Sequence, residues 1–282
     1  MIQVQDLTFT YPKNVEPTIQ DINVSIDEGE IFGFLGPSGA GKSTLQKILI
    51  GVLKGYKGDV TVLHHKVKHT DFYNRLGVAF ETPNFYQKFT AAENLQFFQS
   101  FYRKNRLDGK ELMAKMGLSD AYHTRVSEFS KGMKMRLNLC RAFLHDPELI
   151  FLDEPTSGLD PVNVKKVKDF ILEKKAQGKT IILNTHNMSV AEELCDRVAF
   201  IVDGSVKLVE SPNVLKKQYS EKTVTVVYES DGVERSEQFE LKKLGQQTTF
   251  QTILERDQII KIETEEKTLE DIFIAVTGRN LQ

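Results

Sequence analysis

The segment Gly36-Pro37-Ser38-Gly39-Ala40-Gly41-Lys42-Ser43 constrains this chain more than any other. It has the G-x-x-x-x-G-K-S spacing of a phosphate-binding P-loop, and its flanks agree with that reading. The apolar run 31–35 before it predicts a buried strand, and residues 44–50 after it carry helical apolar spacing. Strand, glycine loop and helix together make the opening of an α/β unit. Glycines let the backbone fold its N–H groups into a nest around phosphate oxygens. The helix N-terminus adds partial positive charge. Residues 36–43, with the adjoining Thr44, therefore read as a cradle for a nucleoside triphosphate. Lys42 is expected at the β- and γ-phosphates, and the Ser43 hydroxyl at a Mg2+ ion.

The surrounding chain predicts a mixed α/β protein. Residues 2–10 and 19–27 alternate apolar with polar and read as strands joined by a turn at Tyr11-Pro12-Lys13-Asn14. Further strands are predicted at 59–63 and 75–80, and helices at 91–102, 108–116 and 130–144. The runs 149–152 and 180–183 are apolar throughout, as strands of a parallel sheet are. A helix at 162–176 lies between them, and a hairpin at 198–210 turns on Asp203-Gly204. After about 218 the composition shifts. A β-branched strand at 223–228, a second at 259–263 and a capped helix from Thr268 to about Gly278 predict a small α+β appendix over 219–282.

Composition narrows the function. Of 282 residues, 27% are charged and the net charge is only −2, which argues against a dominant nucleic-acid interface. Cys140 and Cys195 lack metal-ligand spacing and read as small buried hydrophobes of a reduced, cytosolic protein. The N-terminus carries no basic, then apolar, leader pattern, so no signal peptide is expected. No stretch approaches 18 uninterrupted apolar residues, so the chain is expected not to cross a membrane by itself.

The P-loop alone leaves kinases, GTPases and transport ATPases open. Later residues are more selective. Residues 149–152 lead straight into Asp153-Glu154, which places two carboxylates at the C-terminal end of a buried strand. Asp153 can hold Mg2+ there, and Glu154 can orient an attacking water. Pro155-Thr156-Ser157-Gly158-Leu159-Asp160 follows, and Asn184-Thr185-His186 leaves the end of the next strand. Upstream, Ser130 can cap the helix that begins Lys131-Gly132-Met133 and offer a second anion site.

In this order and spacing, the set resembles the ATP-binding subunit of ABC transporters over residues 1 to about 215. The resemblance makes Gly36–Ser43 the Walker A motif, 149–153 Walker B with Glu154 the adjoining acid, 157–160 the D-loop, and His186 the switch histidine. Ser130-Lys131-Gly132-Met133 stands where the family has its signature Leu-Ser-Gly-Gly-Gln, so Lys131 replaces a glycine and Met133 the glutamine. Tyr11 matches the aromatic that stacks on adenine. Glu81 stands where the family has its Q-loop glutamine and is assigned to both catalysis and the Mg2+ shell. These variants, and the tail around Thr268-Leu269-Glu270-Asp271-Ile272-Phe273, are similar to the branch that exports drugs, antibiotics or lipids.

What the resemblance implies is an ATPase domain over 1–218, with a P-loop core, an antiparallel β subdomain and a helical subdomain at about 84–145, and an accessory domain at 219–282. It implies ATP and Mg2+ as cofactors. It implies a second ATPase subunit, as a homodimer clasping ATP between one Walker A and the other copy's signature. It also implies a transmembrane permease partner, no nucleic acid, and a cytoplasmic location on the inner face of the membrane. Some of the aromatics Phe85, Tyr86, Phe89, Phe97, Phe98, Phe101 and Tyr102 would line a groove for a short helix of that permease. A soluble ABC-type ATPase acting on DNA or ribosomes is the main alternative, although the stretch between Ser43 and Ser130 has no coiled-coil insertion. A P-loop small-molecule kinase explains Lys42, Ser43 and Asp153 but not the signature, the D-loop or His186. A regulator that binds ATP without hydrolysing it is the third.

Overall fold

The computed structural model describes residues 1–66, 72–102, 107–219, 223–265 and 267–279. In chain order its first elements are β1 (Ile2–Phe9), β2 (Ile19–Ile26), β3 (Ile31–Leu35), α1 (Lys42–Leu49), β4 (Lys57–Val62), β5 (His65–Lys66) and β6 (Leu76–Ala79). Then come α2 (Ala91–Gln99), α3 (Gly109–Lys115), α4 (Lys131–Phe143), β7 (Leu149–Asp153), α5 (Pro161–Ala176), β8 (Thr180–Thr185), α6 (Met188–Leu194), β9 (Arg197–Val202) and β10 (Ser205–Glu210). Last are α7 (Pro212–Tyr219), β11 (Thr223–Ser230), β12 (Val233–Glu240), α8 (Thr248–Arg256), β13 (Gln258–Glu265) and α9 (Leu269–Thr277).

Two sheets build the first unit. One is antiparallel, in the order β2-β1-β4-β5. The other runs β10-β9-β3-β8-β7-β6, parallel from β9 to β6 with β10 added antiparallel at the edge. Their facing sides share a core that includes Ile2, Leu7, Ile22, Phe32, Phe34, Leu45, Ile48 and Phe151. The central strands are apolar on both faces because both faces are covered, and β3 and β8 are buried along their whole length. The β9–β10 hairpin closes with Asp203 and Gly204 both at positive φ, as the Asp-Gly pair predicts.

The helices follow their caps. Thr90 caps α2 with a full capping box through Glu93, Ser130 caps α4, and Asp160 caps α5 ahead of Pro161 at its first position. Helix α2 stops at Gln99, three residues before the predicted end at Tyr102. The short α6, capped by Asn187, was not anticipated.

The contacts divide the chain into Met1–Ser211 with the C-terminal residues from Arg279, and Pro212–Gly278. This division falls one helix earlier than the sequence boundary after 218, because α7 packs on α9. The second unit is a three-stranded antiparallel sheet, β12-β11-β13, with a small core of Val224, Val226, Tyr228, Phe239 and Ile253. Strand β12, helix α7 and helix α8 were not predicted. Helix α9 is as expected, with a Thr268–Asp271 capping box and a left-handed Gly278.

His145 sits in the core of the first unit, 3% exposed, with Nε2 at 2.9 Å from the Leu76 carbonyl and its ring stacked 3.7 Å from Tyr102. Burial lowers its pKa, against the carbonyl contact and Asp146, while Lys179 lowers it further. The folded protein therefore binds fewer protons here than the unfolded chain, and stability falls as pH drops below the unfolded value of about 6.5. His145→Gln is expected to lose less stability than the parent between pH 7 and pH 5, by up to about 2 kcal/mol, in urea unfolding at both pH values. Parallel losses in the two proteins would contradict it.

Candidate functional site

The parallel register sets the site. Leu35 pairs with Thr185, and Asp153 with Asn184, so β3, β8 and β7 end at one level. The P-loop leaves β3, Asp153-Glu154 leaves β7, and Thr185-His186 leaves β8. Together they line a cleft of about 630 Å³ that includes Ser38, Gly39, Ala40, Gly41, Lys42, Ser43, Thr44, Glu81, Asp153, Glu154 and His186. Thr18, just before β2, completes the wall and was not singled out in the sequence.

The loop needs its glycines. A Cβ on Gly36 would lie 2.1 Å from the Ile201 carbonyl oxygen. Gly41, at φ +105, would bring one to 2.7 Å from the Ile19 side chain. Lys42 Nζ donates to the carbonyls of Gly36 (2.6 Å) and Pro37 (2.9 Å), which folds its ammonium over the loop. Burial lowers the Lys42 pKa, while Glu154, Asp153 and Glu81 act to raise it. Ser43 is exposed at the first turn of α1.

Glu154 is buried and left-handed, at φ +48. Its N–H donates to the Asn184 carbonyl at 2.9 Å. Its carboxylate accepts from Thr185 Oγ1 (2.9 Å), from the His186 backbone N–H (2.9 Å) and from His186 Nδ1 (2.6 Å). The unusual backbone turns the side chain from the end of β7 onto the end of β8. Asp153 is pushed up to about 6 by burial, then by Glu154 and Glu81, with Lys42 and a hydrogen bond from Asn184 opposing. Oxygen donors from Ser43, Asp153 and Glu81 suit a hard ion such as Mg2+. Among the described residues, no group of three His, Cys, Asp or Glu could hold a metal ion by itself. An ion here would take its remaining ligands from water and phosphate, as Mg2+ does.

The other sequence candidates lie beside or away from this cleft. Tyr11 is half-buried, edge-on to Phe9, and its hydroxyl lies 3.3 Å from that of Thr44. Ser130, Lys131, Gly132 and Met133 open α4 and are absent from the cleft wall. Ser130 Oγ accepts the Met133 N–H at 3.2 Å, and both Ser130 and Lys131 are exposed. The Lys131 side chain runs across Gly158, and Gly132 faces Leu159, so the segment packs on residues 158–159 of its own chain. Asp160 caps α5, its pKa lowered by the Asn163 side chain and backbone N–H. One chain therefore does not bring the start of α4 into the P-loop cleft.

A family model described as ABC transporter matches residues 19–157. A fluoroquinolones export ATP-binding protein of Mycobacterium tuberculosis is 49% identical over 285 residues, spanning 100% of this chain and 94% of the relative. Among solved structures, an ATP-binding subunit of an ABC transporter matches with TM-score 0.70 and 28% identity, over 78% of this chain and 93% of that one. A dimeric post-hydrolysis ATP-binding cassette bound to ADP and Pi matches with TM-score 0.68 and 26% identity, over 75% of this chain and 98% of that one.

The raised Asp153 pKa yields a prediction with a definite sign. Between the ordinary carboxylate value and about 6, the folded protein binds the extra proton, so stability falls as pH rises through that window. Above it, the buried charge exerts its full cost. Asp153→Asn is expected to raise the stability of the nucleotide-free protein at pH 8 by about 1–3 kcal/mol, and to weaken Mg2+-dependent nucleotide binding at least tenfold. Thermal melting and nucleotide titration check the two halves. A less stable variant would contradict the first.

Proposed function

This chain belongs to the ABC transporter family of ATP-binding subunits, and from that premise we propose that it powers an exporter by ATP-driven dimerisation. It is an ATPase subunit. The observation that carries the proposal is the separation of the two anion sites. The P-loop cleft holds Lys42, Ser43 and the acids, while Ser130, Gly132 and the start of α4 lie outside it. Neither encloses a triphosphate, so a second copy, related by a two-fold, completes each site with its own signature segment. ATP then bridges the copies, and loss of the γ-phosphate releases them.

The roles follow from chemistry. Loop amides and Lys42 take the β- and γ-phosphates, and Tyr11 stacks on the base. Ser43, Asp153 and Glu81 would hold Mg2+, which would supply neutralisation of developing phosphate charge. Glu154 orients the attacking water, and His186 holds Glu154 in place. Thr185 and His186, at the end of β8, thus serve the catalytic acid that follows β7.

A membrane-spanning partner is proposed as well. No helix among the described residues is long and apolar enough to cross a membrane. A second cleft of about 650 Å³ in the first unit is lined by Tyr73, Phe80, Phe85, Tyr86, Phe98 and Tyr102, among others. Tyr86 is 49% exposed within it. That groove suits a short apolar helix from the permease, which would hold the chain on the inner face of the membrane. Similarity to a fluoroquinolones export protein supports the export direction. Residues 1–218 would be the ATPase domain, with 84–145 as its helical part, and 219–282 an accessory domain.

Glu154→Gln is expected to slow hydrolysis at least a hundredfold while leaving an ATP-stabilised dimer, read by phosphate release and by sizing with ATP. Wild-type turnover in this variant would refute the assigned role. Tyr86→Glu is expected to lose co-purification with the membrane subunit and keep ATP affinity within about twofold. Undiminished co-purification would remove the groove from the proposal.

A further inference from the structure

Two buried amides stand behind the acids of the cleft. Gln46, on α1, and Asn184, on β8, are each 1% exposed. The Asn184 amide N–H donates to the Gln46 side-chain carbonyl. Gln46 Nε2 and Asn184 Oδ1 remain without hydrogen-bond partners. Judged by folding alone this is a poor arrangement, because each unmet buried polar atom costs about 1–3 kcal/mol. Leucine or methionine at either place would fill the same space at no such cost.

The arrangement makes sense through Asp153. An amide nitrogen carries two hydrogens. One from Asn184 goes to Gln46, and Asn184 is the register partner of Asp153 on the adjacent parallel strand, beside that acid at the strand ends. The Gln46 carbonyl is an acceptor only, so it fixes which end of the Asn184 amide faces the acid. The Asn184 backbone carbonyl meanwhile accepts the Glu154 N–H at 2.9 Å. Asn184 therefore adjoins both acids, as the strand neighbour of Asp153 and as the backbone acceptor of the Glu154 N–H. Gln46 lies one turn along the helix that begins with Lys42 and Ser43. The pair ties the P-loop helix to the ends of β7 and β8.

We propose that Asn184, oriented by Gln46, is a positioning residue for Asp153, holding that carboxylate toward the cleft so that it can take the Mg2+ that accompanies the nucleotide. The inference rests on the ATPase reading above. Outer-shell partners of this kind typically change metal affinity by about 10–100-fold when removed.

The test is equilibrium binding of a fluorescent ATP analogue by the full chain, with and without Mg2+, in the parent, Asn184→Leu, Gln46→Met and the double variant. Asn184→Leu is expected to raise the half-saturating Mg2+ concentration about tenfold and leave Mg2+-free nucleotide affinity within about twofold. Gln46→Met is expected to shift it in the same direction by about threefold. The double variant should be no worse than Asn184→Leu alone, because Gln46 acts through Asn184. An unchanged Mg2+ requirement overturns the proposal, as does an equal loss with and without Mg2+, which would mark a purely structural role. If Asn184→Leu does not fold, Gln46→Met decides by the same two criteria. If the parent itself binds no nucleotide, the ATPase reading fails instead, and the two failures are told apart.

Discussion

Parallel pairing of β3, β8 and β7 is the constraint on which the chemistry depends. It brings the glycine loop, two acids and a histidine to one edge of a buried sheet, without a long loop to position any of them. The same burial makes charges there interact strongly. Glu81, Asp153 and Glu154 face Lys42 alone among the groups that perturb one another in this cleft, and Asp153 rises to about 6, through burial first and its acidic neighbours second. The edge is therefore short of positive charge before any phosphate arrives. A triphosphate would worsen the imbalance. In the proposed assembly a divalent cation, and a second anion site contributed from outside, would correct it.

The two departures from the family pattern have opposite signs. Glu81 adds a carboxylate to the cleft wall, and Lys131 adds an ammonium at the start of α4. In the proposed two-fold pairing, each nucleotide meets Glu81 of one copy and Lys131 of the other. The added charges then offset each other across the shared site, though not within either copy. Within one copy, Lys131 instead lies along Gly158, which is in a left-handed conformation at φ +71.

The legible parts of the chain were those where one requirement dominated. Apolar runs marked β3, β7 and β8 because a doubly covered strand tolerates little else. The P-loop was plain because a nest needs glycines at fixed places. Strand β12 hid because seven of its eight residues are exposed or half-buried, so sheet pairing and not burial defines it. Helix α6 is only seven residues long, too short to show a period. Gln46 and Asn184 gave no signal at all. Either amide would be unremarkable on a surface, and only the fold buries both and places them behind Asp153. The separation of the signature segment from the cleft was implied by the family resemblance alone, since sequence order says nothing of which motifs one chain can bring together.

The contact between Glu154 and His186 carries its own logic. An ionised carboxylate only accepts hydrogen bonds, so the 2.6 Å contact places a hydrogen on His186 Nδ1. In the neutral ring, Nε2 is then an acceptor and offers nothing to a phosphate oxygen. Glu154 Oε1 is already filled by two donors from His186, whereas Oε2 accepts only from Thr185. The remaining lone pair on Oε2 is the one direction left for a water. In the proposed reaction one histidine would thus fix the acid's orientation and, by occupying one oxygen, leave the other side of the carboxylate for the nucleophile.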